Sequence, residues 1–284
     1  MIMGALLTDI LSYVWHVLLA TFFHLFIFLG PLLFLAFIMH LVAQKNEKLS
    51  YQVMGKKIYL YGFAWLGTAV HELGHALFAI IFRHKITEMV LFSPKAKDGS
   101  LGHVNHSYNK KSTYQRIGNF FIGIGPILLG SIVLYFISWL FFGFGFSSIQ
   151  PYLIDAEQVF SWSNLGILFG TTWENLVLYA QTIFFGPKTN IIKIIIFIYI
   201  VYSIGSSITL SKADISGSTE GFKYLVISLF IFNLLSSWMG EFMMWLVVDS
   251  LVLFSGFYFL IILSIVINLI FIGVLKLLAT RLRK

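Results

Sequence analysis

The chain has 284 residues, of which 58% are hydrophobic and 11% charged, with 30 Phe, 13 Tyr and 7 Trp. A water-soluble domain of this length needs far more charged surface, so a soluble globular protein is excluded and a polytopic membrane protein is expected. The net charge of +7 would suggest nucleic acid in a soluble protein; here it is ascribed to membrane topology and no nucleic-acid partner is expected.

The first apolar segment, about 9–43, reads as a retained helix, because it lacks a basic leading region and a cleavage site and is too long for a secretory signal. Pro31 is expected to kink it. After the polar run QKNEKLSYQVMGKK comes a second helix, about 58–83. The long polar stretch that follows contains ITEMVLF and SLGHVNH on either side of PKAKDG, which predicts a small surface β-hairpin. A third helix, about 117–142, opens on IGNFFIGIGPILLG, whose glycines suit close packing on a neighbour. Residues 143–189 are apolar but broken by acids, Pro and Ser, and read as one or two interfacial or re-entrant helices. Further spans are expected at about 190–210, 221–247 and 250–280. The fold class is therefore all-α: a single transmembrane domain, 1–284, with about six transmembrane helices.

Lysine and arginine give the expected orientation. With six spans, one side holds the loop 83–116, the turn after the fourth span and the C-terminal RLRK, which with Lys223 and Lys276 carry 13 of the 19 basic residues. The positive-inside rule places that side, and both termini, in the cytoplasm of a cell-membrane protein. The absence of cysteine removes disulfides and thiolate metal ligands.

Within the second helix stands HELGH, from His71 to His75. Residues four apart lie on one helix face, so His71 and His75 present their rings to one ion, and Glu72 is placed to take a proton from a water polarised there. H-E-x-x-H on a helix is the signature of a metal-dependent protease. The alternative is a packed polar network, although a carboxyl group within an apolar span costs a few kcal/mol unless it is paired or lines a cavity. Gly67, Gly74, Ala69, Ala76 and Ala79 make the helix narrow enough for close neighbours.

Zinc needs a third protein ligand, and Asp214 in SITLSKADISGS is the leading candidate. It follows an apolar span on the expected cytoplasmic side, with Gly205, Ser206 and Ser207 loosening the helix before it and Gly217 permitting a turn after it. A helix cap is the competing role for Asp214. His103 and His106 are weaker candidates, as ordinary surface residues or substrate contacts. His16, His24 and His40 read as packing residues, His84 as solvated or headgroup-facing, and Glu241 as an interfacial carboxylate.

These motifs resemble the site-2 protease family of intramembrane zinc metalloproteases. GTAVHELGHALFAIIFRHKI is similar to that family's zinc helix, IGIGPILLG to its glycine-proline motif, and SKADISGS to the helix break that supplies its aspartate. The resemblance implies a three-helix core in segments 58–83, 117–142 and 190–225, with 9–43, 221–247 and 250–280 accessory. It also implies Zn2+ on His71, His75 and Asp214, Glu72 as general base, and cleavage of membrane-associated substrates in the bilayer. The chain departs from the family pattern at Leu129, where an asparagine is usual, and at Ile215, where a glycine is usual. Asn119 is a candidate substitute for the missing amide. A non-proteolytic scaffold keeping a metal site, and a transporter with a broken helix at depth, are the other function classes these residues admit.

Overall fold

The computed structural model describes residues 2–95, 100–144, 162–236 and 240–282. Helix α1, Ile2–Val53, runs for 52 residues, about 78 Å at 1.5 Å per residue, well beyond the roughly 30 Å hydrocarbon core. It does not stop at 43 as expected. Gln44, Lys45, Glu47 and Lys48 are good helix formers, and the polar run is anchored inward. Asn46 Nδ2 donates to Tyr202 Oη at 2.9 Å and to Asn268 Oδ1 at 2.6 Å. Pro31 lies inside α1; it brings no amide hydrogen to the Ile27 carbonyl, and the Tyr258 hydroxyl donates there instead, at 3.0 Å.

Gly55, at φ 84°, turns the chain into a continuous rod, Lys56–Ile81. The rod comprises α2 (Lys56–Tyr59), a π-helical turn (Leu60–Ala64) and α3 (Trp65–Ile81). Arg83 then takes a left-handed φ of 58° and closes α3: the Arg83 amide donates to Ile80 O at 3.0 Å and the His84 amide to Ala79 O at 2.8 Å. This paired closure of a helix end normally uses glycine at the left-handed position. Strands β1 (Lys85–Val90) and β2 (His103–Ser107) follow as the expected antiparallel hairpin, with Lys85 opposite Ser107, Val90 opposite His103 and a bulge between Ile86 and Glu88.

The remaining helices are α4 (Thr113–Phe142), α5 (Trp162–Phe185), α6 (Ile191–Gly205), α7 (Lys212–Ser236) and α8 (Gly240–Leu282). Five helical stretches among the described residues are long and apolar enough to cross a membrane: Leu6–Val53, Lys56–Ile81, Thr113–Phe142, Lys212–Ser236 and Phe254–Arg281. Helix α6 is apolar but only 15 residues long. The chain is thus a multi-pass, mostly helical membrane protein. Where the sequence divides two spans at 221–247 and 250–280, helix α7 ends at Ser236 and α8 begins at Gly240, so residues 247–250 sit within α8. Of the segment 143–189, one helix, α5, is described; 145–161 lie outside the described residues.

Helix α3 packs on α4, α4 on α7 and α1 on α8, while α6 touches α3, α4 and α8. The shared core includes Leu32 and Met39 of α1, Ile127 and Leu134 of α4, Phe197 of α6 and Leu260 of α8. Phe34, Ile80, Leu140 and Ile270 are exposed, as side chains facing lipid would be. Lipid tails give no hydrophobic drive for helices to associate, so close backbone approach matters. A β-carbon on Gly74 would stand 2.7 Å from the Gly125 carbonyl and Pro126 nitrogen, and one on Gly125 would stand 2.6 Å from the Gly74 oxygen. The glycines of the two motifs therefore meet at the α3–α4 crossing.

Candidate metal centre

On α3, Glu72, His75, Ala76 and Ala79 are buried while Leu73, Leu77 and Ile80 are exposed, so Glu72 and His75 of HELGH face the bundle interior. The Nε2 atoms of His71 and His75 stand 3.2 Å apart. Each ring is tied from behind: His71 Nδ1 donates to Ser207 O at 2.8 Å, and His75 Nδ1 donates to Ile122 O at 2.7 Å. A carbonyl can only accept, so both Nδ1 atoms carry the proton and both Nε2 atoms turn a lone pair to the same point.

The two carbonyls are available for different backbone reasons. Ile122 lies four residues before Pro126 on α4, and proline has no amide hydrogen to give it. Ser207 lies where α6 has ended at Gly205 and α7 has not begun. The helix break expected after Leu210 thus starts earlier, at Ser206. Its consequence is a carbonyl aimed at His71.

Asp214 occupies the first turn of α7. Ser211 Oγ accepts from the Asp214 amide at 3.1 Å, and Asp214 Oδ2 accepts from the Ser211 amide at 2.7 Å, the reciprocal cap that S-x-x-D allows. Cap and cluster member are therefore one residue, not alternatives. The carboxylate places Oδ1 3.3 Å from His75 Nε2 and Oδ2 4.0 Å from His71 Nε2. Gly123 makes this approach possible, because a β-carbon there would lie 2.7 Å from the Asp214 carbonyl oxygen. Gly217 is inside α7, not in a turn.

One donor atom from each of His71, His75 and Asp214 lies within 4.8 Å of the other two. Tetrahedral bonds of about 2.0–2.1 Å hold donors roughly 3.3 Å apart, which the His71–His75 and His75–Asp214 spacings match, while His71 and Asp214 stand wider at 4.0 Å. Two lone pairs and a carboxylate turned on one point fit a divalent cation, and the cluster is geometrically able to hold one. Among the described residues no other group of three such side chains converges in this way.

The cluster opens onto a chamber of about 560 Å³, whose walls include Glu72, Asn119, Ser211, His103 and His106. Glu72 is covered by the hairpin: a β-carbon on Gly102 would stand 2.7 Å from Glu72 Cγ and 2.8 Å from Val90 O. Asn119 is buried on the chamber wall, while Leu129 packs against the apolar core.

The other histidines fall elsewhere. His16 bonds Ser12 O, His40 bonds Gln44, and His24 bonds Asn233. His103 faces Glu88 across the hairpin at 3.3 Å. His84, expected at a solvated helix end, is buried, because the left-handed turn at Arg83 folds it back on α4, where its Nε2 donates to Gln115 O at 2.8 Å. The side chain of Glu241 lies outside the described residues. The reciprocal cap at Ser211, the proline-freed carbonyl and the burial of His84 were not anticipated from sequence; only the first carries a legible pattern, S-x-x-D.

These features define a class: a multi-pass helical membrane protein with a buried His-His-Asp cluster able to chelate a metal ion. Comparison of the chain with protein-family models, with curated proteins and with solved structures gives no match.

Proposed function

We propose that the chain is an intramembrane zinc endopeptidase of the site-2 protease type, with six spans and cytoplasmic termini. In this reading His71, His75 and Asp214 are the metal ligands, Glu72 is the general base, and the substrate is a membrane protein or membrane-associated peptide. The single observation that carries it is the convergence of two imidazole lone pairs and a carboxylate at 3.2–4.0 Å, with Glu72 on the wall of the same chamber.

Zinc held there supplies Lewis-acid polarisation of a water molecule and of the scissile carbonyl. The chain supplies the rest. Glu72, next to His71 in sequence and shielded by Gly102, accepts the proton of the attacking water and delivers it to the leaving amine. Ser207 and Ile122 keep both rings in the tautomer that turns Nε2 inward. His71, His75 and Asp214 would hold the ion, and three such protein ligands are the composition of a catalytic rather than a structural zinc site.

The test is purified protein in detergent, assayed for zinc content and for cleavage of a membrane-peptide library. Glu72→Gln should keep zinc and lose cleavage. Equal cleavage by parent and E72Q would overturn the general-base role, and zinc-loaded parent that cleaves nothing would overturn the peptidase.

A further inference from the structure

A second set of side chains, from the end of α3, the hairpin and the start of α4, leads into the chamber. His84 Nε2 donates to Gln115 O at 2.8 Å, and because that acceptor is a carbonyl, the His84 proton is fixed on Nε2. His84 Nδ1 is then an acceptor. It stands 3.0 Å from His106 Nδ1, so the second ring must donate through Nδ1. The order of protons along the relay is thereby set by one backbone oxygen, and it ends on a bare His106 Nε2.

That nitrogen is not spent on the fold. His106 lines the chamber that holds the cluster, and no hydrogen bond from its Nε2 to another described residue is formed. Nor does it join the converging donor set, which is His71, His75 and Asp214. The ring is held at fixed height: its partner His84 stacks on Tyr108 at 5.0 Å, and the Tyr108 hydroxyl donates to Glu220 of α7 at 3.1 Å. Burial, with His84 and then His75 nearby, lowers the His106 pKa to about 4, which keeps it neutral and accepting at pH 7.

A peptide lying against the cluster brings backbone N–H donors into this chamber, and each must find an acceptor or go unpaired. On the proposed reading the Nε2 lone pairs of His71 and His75 and the carboxylate of Asp214 are directed to the metal, and Glu72 is engaged with water. We infer that His106, held by His84 and the Gln115 carbonyl, is a substrate-binding residue whose bare Nε2 accepts a hydrogen bond from a backbone N–H of the bound peptide. The inference rests on the peptidase reading for its ligand class, and on the relay alone for its geometry.

Two measurements on the full chain test it. Nitrogen-15 spectra of histidine-labelled, metal-free protein at pH 7, with His106→Asn to assign the signal, should show His106 protonated on Nδ1 and bare on Nε2; the opposite tautomer overturns the inference. The second is a binding cycle on zinc-loaded protein, using a tripeptidyl hydroxamate and its variants N-methylated at each backbone amide in turn. For one amide the parent protein should prefer the N–H form about tenfold, the weight of one hydrogen bond. His106→Phe should lose that preference, and His106→Gln, which offers a carbonyl acceptor, should recover part of it, all with zinc content unchanged. Undiminished discrimination by H106F, or loss of zinc from it, overturns the inference. If the cycle holds while the zinc-loaded parent cleaves no peptide, the peptidase reading fails and the acceptor role of His106 stands.

Discussion

His75 on α3 and Ile122 on α4 are joined by a hydrogen bond of 2.7 Å, Nδ1 to carbonyl oxygen, and no amide of α4 competes for that oxygen. Four residues further on is Pro126, and the amide hydrogen it lacks is the one that would have occupied that oxygen. The glycine-proline motif thus does two things at one place. Glycine lets α3 come close, and proline gives the arriving histidine a partner.

Pro126→Ala restores a competing amide to Ile122 O. The His75 ring should lose its fixed tautomer, and zinc affinity should fall by about 10–100-fold, the usual effect of removing a partner behind a metal-bound histidine. Chelator competition on purified protein measures this, and an unchanged affinity would show that the hydrogen bond does not orient the ring.

Asp214 serves two ends with one carboxylate, and substitutions can separate them. Asp214→Ala should lose both the cap, about 1 kcal/mol, and zinc binding. Ser211→Ala should lose a similar increment of thermal stability yet keep close to one zinc per chain. Full zinc retention by D214A would remove Asp214 from the ligand set.

Gly102 is pressed on Glu72, and a β-carbon there would clash with Glu72 Cγ at 2.7 Å. Gly102→Ala should lift the hairpin from Glu72, keep zinc and lower the cleavage rate at least tenfold. Wild-type turnover in G102A would mean that the hairpin yields at no cost to the site.

Acidification should loosen the hairpin through His84 and His106. Burial lowers both pKa values, His106 to about 4, against an unfolded value near 6.5. Between those limits the released state binds more protons than the docked state, so the histidines' contribution is complete above about pH 6.5 and is lost as pH falls toward 4. Hydrogen exchange of the β2 amides should show protection declining over that window, and His106→Asn should flatten the decline.

The membrane class, the hairpin and the paired histidines of the cluster were legible in sequence because each depends on local pattern: apolar length, β-prone pieces around a turn, and H-E-x-x-H spacing. The end of α1 was not, since a polar run reads as a loop until Asn46 is seen between Tyr202 and Asn268. His84 was misread for a related reason. Its burial follows from a left-handed φ at Arg83, a conformation that an arginine does not advertise as a glycine would. For Asp214 the sequence offers a cap and a place beside the histidines as alternatives, and only the observed geometry, with one oxygen on the Ser211 amide and the other near His75, joins them in one side chain.

Proline in these helices also works as an address. Pro31 frees Ile27 O for Tyr258 of α8 as Pro126 frees Ile122 O for His75 of α3. Successive residues are turned by about 100° around a helix. A proline moved to 125 or 127 would therefore offer the oxygen of Phe121 or Gly123, on a different meridian of α4. In lipid, where apolar surface cannot tell one neighbour from another, a single missing hydrogen marks an azimuth and a height at which a partner helix finds an oxygen without a competing amide.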